Sequence, residues 1–398
     1  MSTAPELDPA AEPVRGNRGS RRWIRRPLIL WGVTRLGVAI VAYLAVGLLP
    51  ASQPTPPYHL RGTDNVLLDV LGSRWDTGFY VSIVEEGYIL EGVPLPSVAF
   101  FPLLPLLMAL VRLLVGDAVI AGLLVTNAAL LAASILFYRL VADDLGEATA
   151  GRATWYLLIF PASLFGSAIY TESVFLLAAV GALLAARRGR WGWAAVAGFA
   201  AALTRLHGVL VAILLAVEWW QRRHRRGARA PALGLLAAAA PPLGTLSFMA
   251  YCSLRFGNPL AFVEAASRWE RVPRSPYETL REALATPPGG WWDGLLAGRV
   301  HLDHWLDLGF VVLFLLLGCW LLAERRWSEG AFVVLGVSLS FSSGLLMSQR
   351  RYMWVLFPVY ALLAQWGRRE WLDRLVTVLF LAGLALFTAL FAGGYWVA

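Results

Sequence analysis

Apolar runs about as long as a membrane is thick recur along almost the whole sequence, and they constrain the fold more than any other feature. A helix needs roughly 20 residues to cross about 30 Å of hydrocarbon, and the run Pro27 to Pro50 is the first that meets this length. It is too long for a signal-peptide core and no small-residue cleavage site follows it, so it reads as a retained first crossing. Further candidate spans fall at 100–115, 118–139, 153–169, 173–186, 191–220, 230–252, 305–323, 330–347, 352–366 and 375–396. The stretch 191–220 reads either as one long tilted helix or as two short pieces. The expectation is an all-α, polytopic integral-membrane helical bundle with about ten or eleven membrane segments. No repeat of 20 to 50 residues is evident, which argues against a solenoid or an inverted-repeat transporter.

Composition agrees. Of 398 residues, 58% are hydrophobic and 15% charged, whereas an ordinary soluble domain carries about 25% charge. The net charge of +8 does not point to nucleic acid, because the basic residues sit in short clusters beside apolar runs, as the positive-inside bias requires. The sequence contains no lysine, so all 34 basic residues are arginine. Cys252 and Cys319 both lie in apolar runs, and neither a disulfide framework nor a thiolate metal site follows from them.

Charge also orients the chain. Residues 1–26 combine Pro, Gly and Ser with six Arg and read as a disordered cytoplasmic tail. The remainder, 27–398, reads as one transmembrane domain in the cell membrane. Its segment 51–99 sets Arg61 and Arg74 against Asp64, Asp69, Asp76, Glu85, Glu86 and Glu91, an acidic balance expected outside. "QRRHRRGAR", 221–229, is the firmest cytoplasmic marker, and counting from it places loop 253–304 outside as well. If "RRGR" at 187–190 is also cytoplasmic, then "YTES" at 170–173 faces out and 100–115 lies along the interface. A single crossing by 191–220 would invert that order; charge favours the first arrangement.

Several ionisable residues stand where an oily chain should not keep them. In "SRWDTGFY", Asp76 precedes an apolar stripe of Phe79, Tyr80, Ile83, Val84 and Tyr88 on a helix that would lie in the interface. Asp76 then serves as a functional carboxylate or as that helix's cap, with Trp75 as an interface anchor. In "LLMSQRRYMWVLFPVY", Arg350 and Arg351 fall on the outer face, beside Tyr352, where paired Arg is disfavoured. Either they bind an anionic phosphate, which guanidinium pairs bidentately, or they snorkel to lipid and loop acids. Arg205 and His207 in "ALTRLHGVL", and Glu172 in "SAIYTESVF", sit amid apolar sequence, where ionisable groups are costly and functional by default; for His207 the alternative is a neutral, hydrogen-bonded core histidine. The "HLDH" at 301–304 reads as a solvated loop end, since adjacent residues rarely point at one metal ion. No Gly-rich phosphate loop and no nucleophile elbow is present, and no metal or cofactor is expected.

Taken in order, "RWDTGFYVSIVEEGY", "FFPLLPLL", "FPASLFGSAIYTESVFLL", "TRLHGVLV", "FGNPLAFVEAASRW" and "RRYMWVLFPVYALLA" resemble the bacterial branch of the PIG-V mannosyltransferase family, integral-membrane glycosyltransferases of the GT-C type. The resemblance implies transfer of a sugar, usually mannose, from a polyprenyl-phosphate donor to a lipid, glycan or protein acceptor at the outer membrane face. The family's first-loop acidic residue maps onto Asp76, with Arg74 and Trp75 in its motif. Eukaryotic members often carry a His after the WD pair; here Thr77, Gly78 and Phe79 follow, which counts against a glycolipid-anchor acceptor. On this reading Asp76 is the general base of an inverting single displacement, and Arg350, Arg351 or Arg205 offset charge on the leaving phosphate. Trp75 and Tyr80 would stack on sugar faces, and Glu172, His207 and Tyr352 would line the substrate site. The competing class is a secondary transporter or lipid flippase. Its charges would sit near the midplane on broken helices, whereas these candidates are expected together at one interface on long loops.

Overall fold

The computed structural model describes residues 22–50, 64–224, 231–269, 271–272, 274–284, 290–298 and 302–397. Most of the expected tail, the first part of loop 51–99, the end of the basic run 221–229 and His301 lie outside them. Every regular element among the described residues is helical, as a chain in lipid requires when it must satisfy its backbone hydrogen bonds within each segment.

α1 (Arg22–Leu48) starts before Pro27, so the expected tail ends sooner than Arg26. The cause is local: the Trp23 ring is partly buried against the core and lies 5.9 Å from the Arg139 guanidinium, which extends the helix below the apolar run. The next helices are α2 (Val66–Gly72), α3 (Thr77–Glu86), α4 (Leu103–Val115) and α5 (Ala118–Leu145). Gly116, at φ 80°, ends α4 just before α5 begins. At 13 residues α4 is shorter than the roughly 20 a lone crossing needs, and Leu110, Leu113 and Leu114 on it are exposed. The chain continues through α6 (Glu147–Ile159), a 3₁₀ turn at Pro161–Gly166, α7 (Glu172–Arg187), α8 (Trp191–Ala202), a second 3₁₀ turn at Leu206–Leu210, α9 (Val211–His224) and α10 (Ala232–Phe256). Short helices α11 (Ala261–Ser267), α12 (Pro276–Ala283) and α13 (Trp291–Leu296) precede α14 (Leu302–Ala323), α15 (Trp327–Phe341), α16 (Gln349–Trp354), α17 (Pro358–Trp366) and α18 (Glu370–Ala392).

Among the described residues only α1, α5, α10, α14 and α18 are long and apolar enough to cross a membrane unaided. The other expected membrane segments form shorter helices within the same all-α bundle. Three of the other apolar runs are broken: 153–169 divides at Phe160–Pro161, 191–220 at Leu203–Arg205, and 352–366 at Val355–Phe357. Proline explains the first break, since Pro161 cannot donate a helical bond and holds Phe160 extended at φ −53°, ψ 140°. Small residues let these shorter pieces pack closely. A Cβ on Gly198 of α8 would stand 3.0 Å from Pro241 of α10, and one on Gly244 2.6 Å from the Phe199 carbonyl.

The two ends of the bundle differ. At one end Arg187 of α7 meets Asp144 of α5, Glu218 of α9 (3.2 Å) and Glu329 of α15 (3.3 Å). Arg152 of α6 likewise joins Asp373 of α18 at 3.2 Å. At the opposite end the loops after α1 and α10 meet: the Arg268 guanidinium donates to the Val93 carbonyl and Phe79 packs edge-on against Trp269.

Candidate active site

The site forms at that second end, where the spanning helices break. Its first component is the turn between α2 and α3. Trp75 adopts φ 56°, a left-handed conformation rare for a bulky residue. Neighbours hold it there: the Arg74 guanidinium donates to the carbonyls of Phe391 and Ala392 at the end of α18 and pairs with Asp69 at 3.2 Å, while the Trp75 ring meets Trp396 edge-on, 4.8 Å between centroids. Asp76 occupies the N-cap position of α3, yet its side chain makes no capping bond. The cap reading of Asp76 is therefore corrected.

Its carboxylate turns inward instead. Arg351 Nη1 donates to Asp76 Oδ2 at 2.8 Å, and Arg351 Nε lies 3.2 Å from Glu172 Oε1. That oxygen also accepts from Arg205 Nη1 at 3.1 Å. Asp76, Arg351, Glu172 and Arg205 thus form one chain of charges, each residue 8% exposed or less. Glu172 opens α7, Arg205 is extended in the break after α8, and Arg351 lies on short α16, which starts from Ser348 at φ 75°. The expectation that the candidates gather on long loops is corrected: apart from Asp76 they stand at breaks between helices, where free backbone groups and short turns admit polar side chains into an oily bundle.

Aromatic rings frame the chain. The Asp76 N–H donates to Tyr170 Oη at 3.4 Å, and the Arg351 guanidinium sits 5.1 Å from the Tyr170 ring. Tyr352 is flanked by the guanidiniums of Arg205 at 4.9 Å and Arg271 at 5.3 Å, and His207 stacks on it at 5.1 Å. Burial, then the Asp76 charge, pushes the Tyr80 and Tyr170 phenols up, so both remain hydrogen-bond donors. Burial, then the charges of Arg205 and Arg271, pushes His207 down to about 3. It is a neutral imidazole, with Nε2 2.9 Å from Ser340 Oγ. Burial alone would raise Tyr352, but Arg271, Arg351 and Arg205 outweigh it and lower its phenol.

Arg350 departs from expectation. It does not join Arg351 in a paired anion cradle; its backbone N–H and Nε both bond Asp307 Oδ1, at 2.9 and 3.0 Å, and Nη2 bonds Asp303 at 3.0 Å. Neighbouring residues on one helical turn point about 100° apart, so a side-by-side pair in sequence need not converge. Arg74 is committed to the α18 terminus, and the Trp75 and Tyr80 rings are buried against Trp396 and Phe100 rather than open for stacking. Sequence reasoning missed Arg271 and Tyr170. Arg271 stands two residues beyond the "FGNPLAFVEAASRW" motif, and Tyr170 opens "YTES".

A bundle of membrane helices with a buried, polar, partly charged site at one end defines a multi-pass membrane protein with a chemical centre. Residues 42–223, which include Asp76, Glu172, Arg205 and His207, match the family described as Mannosyltransferase (PIG-V). No curated protein matches the chain. Three solved structures from Archaeoglobus fulgidus are distantly similar. The oligosaccharyltransferase crystallised with Zn and sulfate has 15% identity and a TM-score of 0.45, over 90% of this chain and 53% of that one. Its apo form gives 12% and 0.47, over 95% and 57%. The archaeal oligosaccharyltransferase AglB with an inhibitory peptide and a dolichol-phosphate gives 13% and 0.42, over 95% and 57%. The chain spans a little over half the length of these structures.

Proposed function

We propose that the protein transfers a sugar, mannose by family, from a polyprenyl-phosphate donor to an acceptor hydroxyl at the outer membrane face by one inverting displacement. The observation that carries this reading is the charge count of the site. Arg205, Arg271 and Arg351 supply three positive charges against the two carboxylates of Asp76 and Glu172. The surplus of one matches the single negative charge of a sugar phosphodiester. Arg271 has no carboxylate partner among the described residues, and Arg205 Nε is buried without a hydrogen bond. The Arg205–Arg271 face around Tyr352, rather than the Arg350–Arg351 pair, is thus the phosphate site.

Asp76 Oδ2 is engaged by Arg351, which leaves Oδ1 to take the proton of the incoming hydroxyl. The acceptor oxygen, as it loses that proton, attacks the anomeric carbon while the bond from that carbon to the phosphate oxygen breaks with its electron pair. The polyprenyl phosphate then leaves carrying one more negative charge, stabilised by guanidiniums already in place. A lipid donor explains why such a centre stands at the end of a membrane bundle. The arginine-rich opposite end, with Arg187 and Arg152, supports an outward-facing site.

The test is Asp76→Asn, with folded protein verified. Transfer of radiolabelled mannose from its polyprenyl phosphate to membrane lipids and proteins should fall about 100- to 10,000-fold, while thermal stabilisation by the donor persists. Near-normal turnover would remove Asp76 as the base.

A further inference from the structure

A second polar compartment lies on the other side of α16. Arg350 and Arg351 are neighbours, yet one guanidinium reaches Asp76 and Glu172 while the other reaches Asp307 and Asp303 of α14. Arg350 lines a cavity of about 360 Å³ together with Asp303, His304, Asp307 and Trp396. Small-molecule sites run from about 300 to 1,000 Å³. Trp396 is also the edge partner of Trp75, the residue before Asp76, so one aromatic pair joins this cavity to the catalytic turn.

The lining identifies the ligand class. Arg350 is 1% exposed, and its Nη1 has no partner among the described residues although Nε and Nη2 are matched. A buried donor left this way calls for an acceptor. Asp307 spends Oδ1 twice on Arg350, and Asp303 is open to solvent at 58%. One guanidinium against two carboxylates leaves a surplus of one negative charge, opposite to the surplus around Arg205 and Arg271. A phosphate is therefore disfavoured here, and the charged cluster of Arg350, Asp303 and Asp307 disfavours an acyl chain although Leu302 and Met347 also line the cavity. A hydroxyl group both donates to carboxylates and accepts from a guanidinium, and an indole covers the C–H face of a sugar ring. We propose that this cavity binds a neutral, hydroxyl-rich headgroup, a saccharide or polyol, and that it is the acceptor subsite. Only the word acceptor rests on the transfer reading; the binding itself does not. Donor and acceptor are thereby sorted by charge on either side of one helix.

The probe is methyl α-D-mannopyranoside, with myo-inositol in parallel to separate a pyranoside from a cyclic polyol, titrated into the full chain in nanodiscs and read by saturation-transfer NMR. Wild-type protein should bind one of them. Asp303→Asn, at an exposed position that need not disturb folding, and Trp396→Ala should each weaken that binding about tenfold or more, with stabilisation by polyprenyl phosphate unchanged. No binding to wild type, unchanged affinity in both variants, or displacement of the probe by polyprenyl phosphate would each overturn the assignment. Loss of probe binding in the variants with no sugar transfer by wild type would instead preserve the cavity and sink the transferase chemistry.

Discussion

Arg271→Gln separates a phosphate-binding guanidinium from a structural one. Arg271 is half-buried, has no ion pair among the described residues and touches Tyr352 only through its ring face, at 5.3 Å. Removing it should cost the fold no more than a partly exposed cation–π contact, about 0.5–1 kcal/mol. Its loss also takes the surplus from one positive charge to zero. A hydrogen bond to a charged group contributes about 1.5–3 kcal/mol, and at about 1.36 kcal/mol per decade this is roughly a 10- to 150-fold change. The donor KM should therefore rise by that factor, with the acceptor KM nearly unchanged and the thermal midpoint close to wild type. The assay is steady-state transfer from polyprenyl-phosphate mannose in nanodiscs, with each substrate varied in turn, beside donor-induced thermal stabilisation. A donor KM within twofold of wild type, together with full stabilisation by the donor, would refute the charge argument.

His207 and Ser348 give two further expectations. Because the folded His207 is pushed down to about 3 from an ordinary 6.5, the unfolded chain binds the extra proton between those values; this part of the stability is complete above pH 6.5 and is lost as pH falls toward 3. His207→Gln should flatten that component of the unfolding midpoint between pH 4 and 7, and an equal acid loss in the variant would assign it elsewhere. Ser348 is 1% exposed, carries an unpartnered hydroxyl and sits at φ 75°. Ser348→Gly should raise stability by about 1 kcal/mol in a thermal or denaturant melt, through relief of strain and of the buried hydroxyl, and a destabilised variant would contradict this.

The membrane class was legible from the apolar runs because their length is set by the bilayer itself. The breaks within those runs were less so. Pro161 marks one directly, but the break at Leu203–Arg205 has no proline, and the segment stays apolar on both sides of it. What makes that turn is tertiary: a Cβ at Gly208 would collide with the Ala201 backbone, so only glycine lets the second 3₁₀ turn fold back onto α8. The site was legible residue by residue, since Asp76, Glu172, Arg205 and Arg351 are each costly in oily sequence. Their partners were not. Pairing Asp76 with Arg351 spans 275 positions, and no local pattern reports which of two adjacent arginines turns toward it.

The breaks also explain how such a bundle tolerates the charges. Where α6 stops at Ile159, its last carbonyls would be orphaned in a dry interior. Arg35 of α1, 7% exposed and without a carboxylate partner among the described residues, donates to the Leu158 and Ser163 carbonyls at 2.7 Å each, and the Trp354 indole donates to Leu157 at 2.9 Å. A guanidinium at a helix C-terminus faces the negative end of the macrodipole, so the contact is favourable in charge as well as in hydrogen bonds. Trp354 stands on α16, three residues after Arg351, and the turn at Pro161–Gly166 leads into Tyr170 and Glu172. The bonds that satisfy the end of α6 therefore also fix the spacing between Arg351 and Glu172. In this bundle the free backbone groups of a broken helix act as anchors for the cationic and aromatic side chains that hold the site in place.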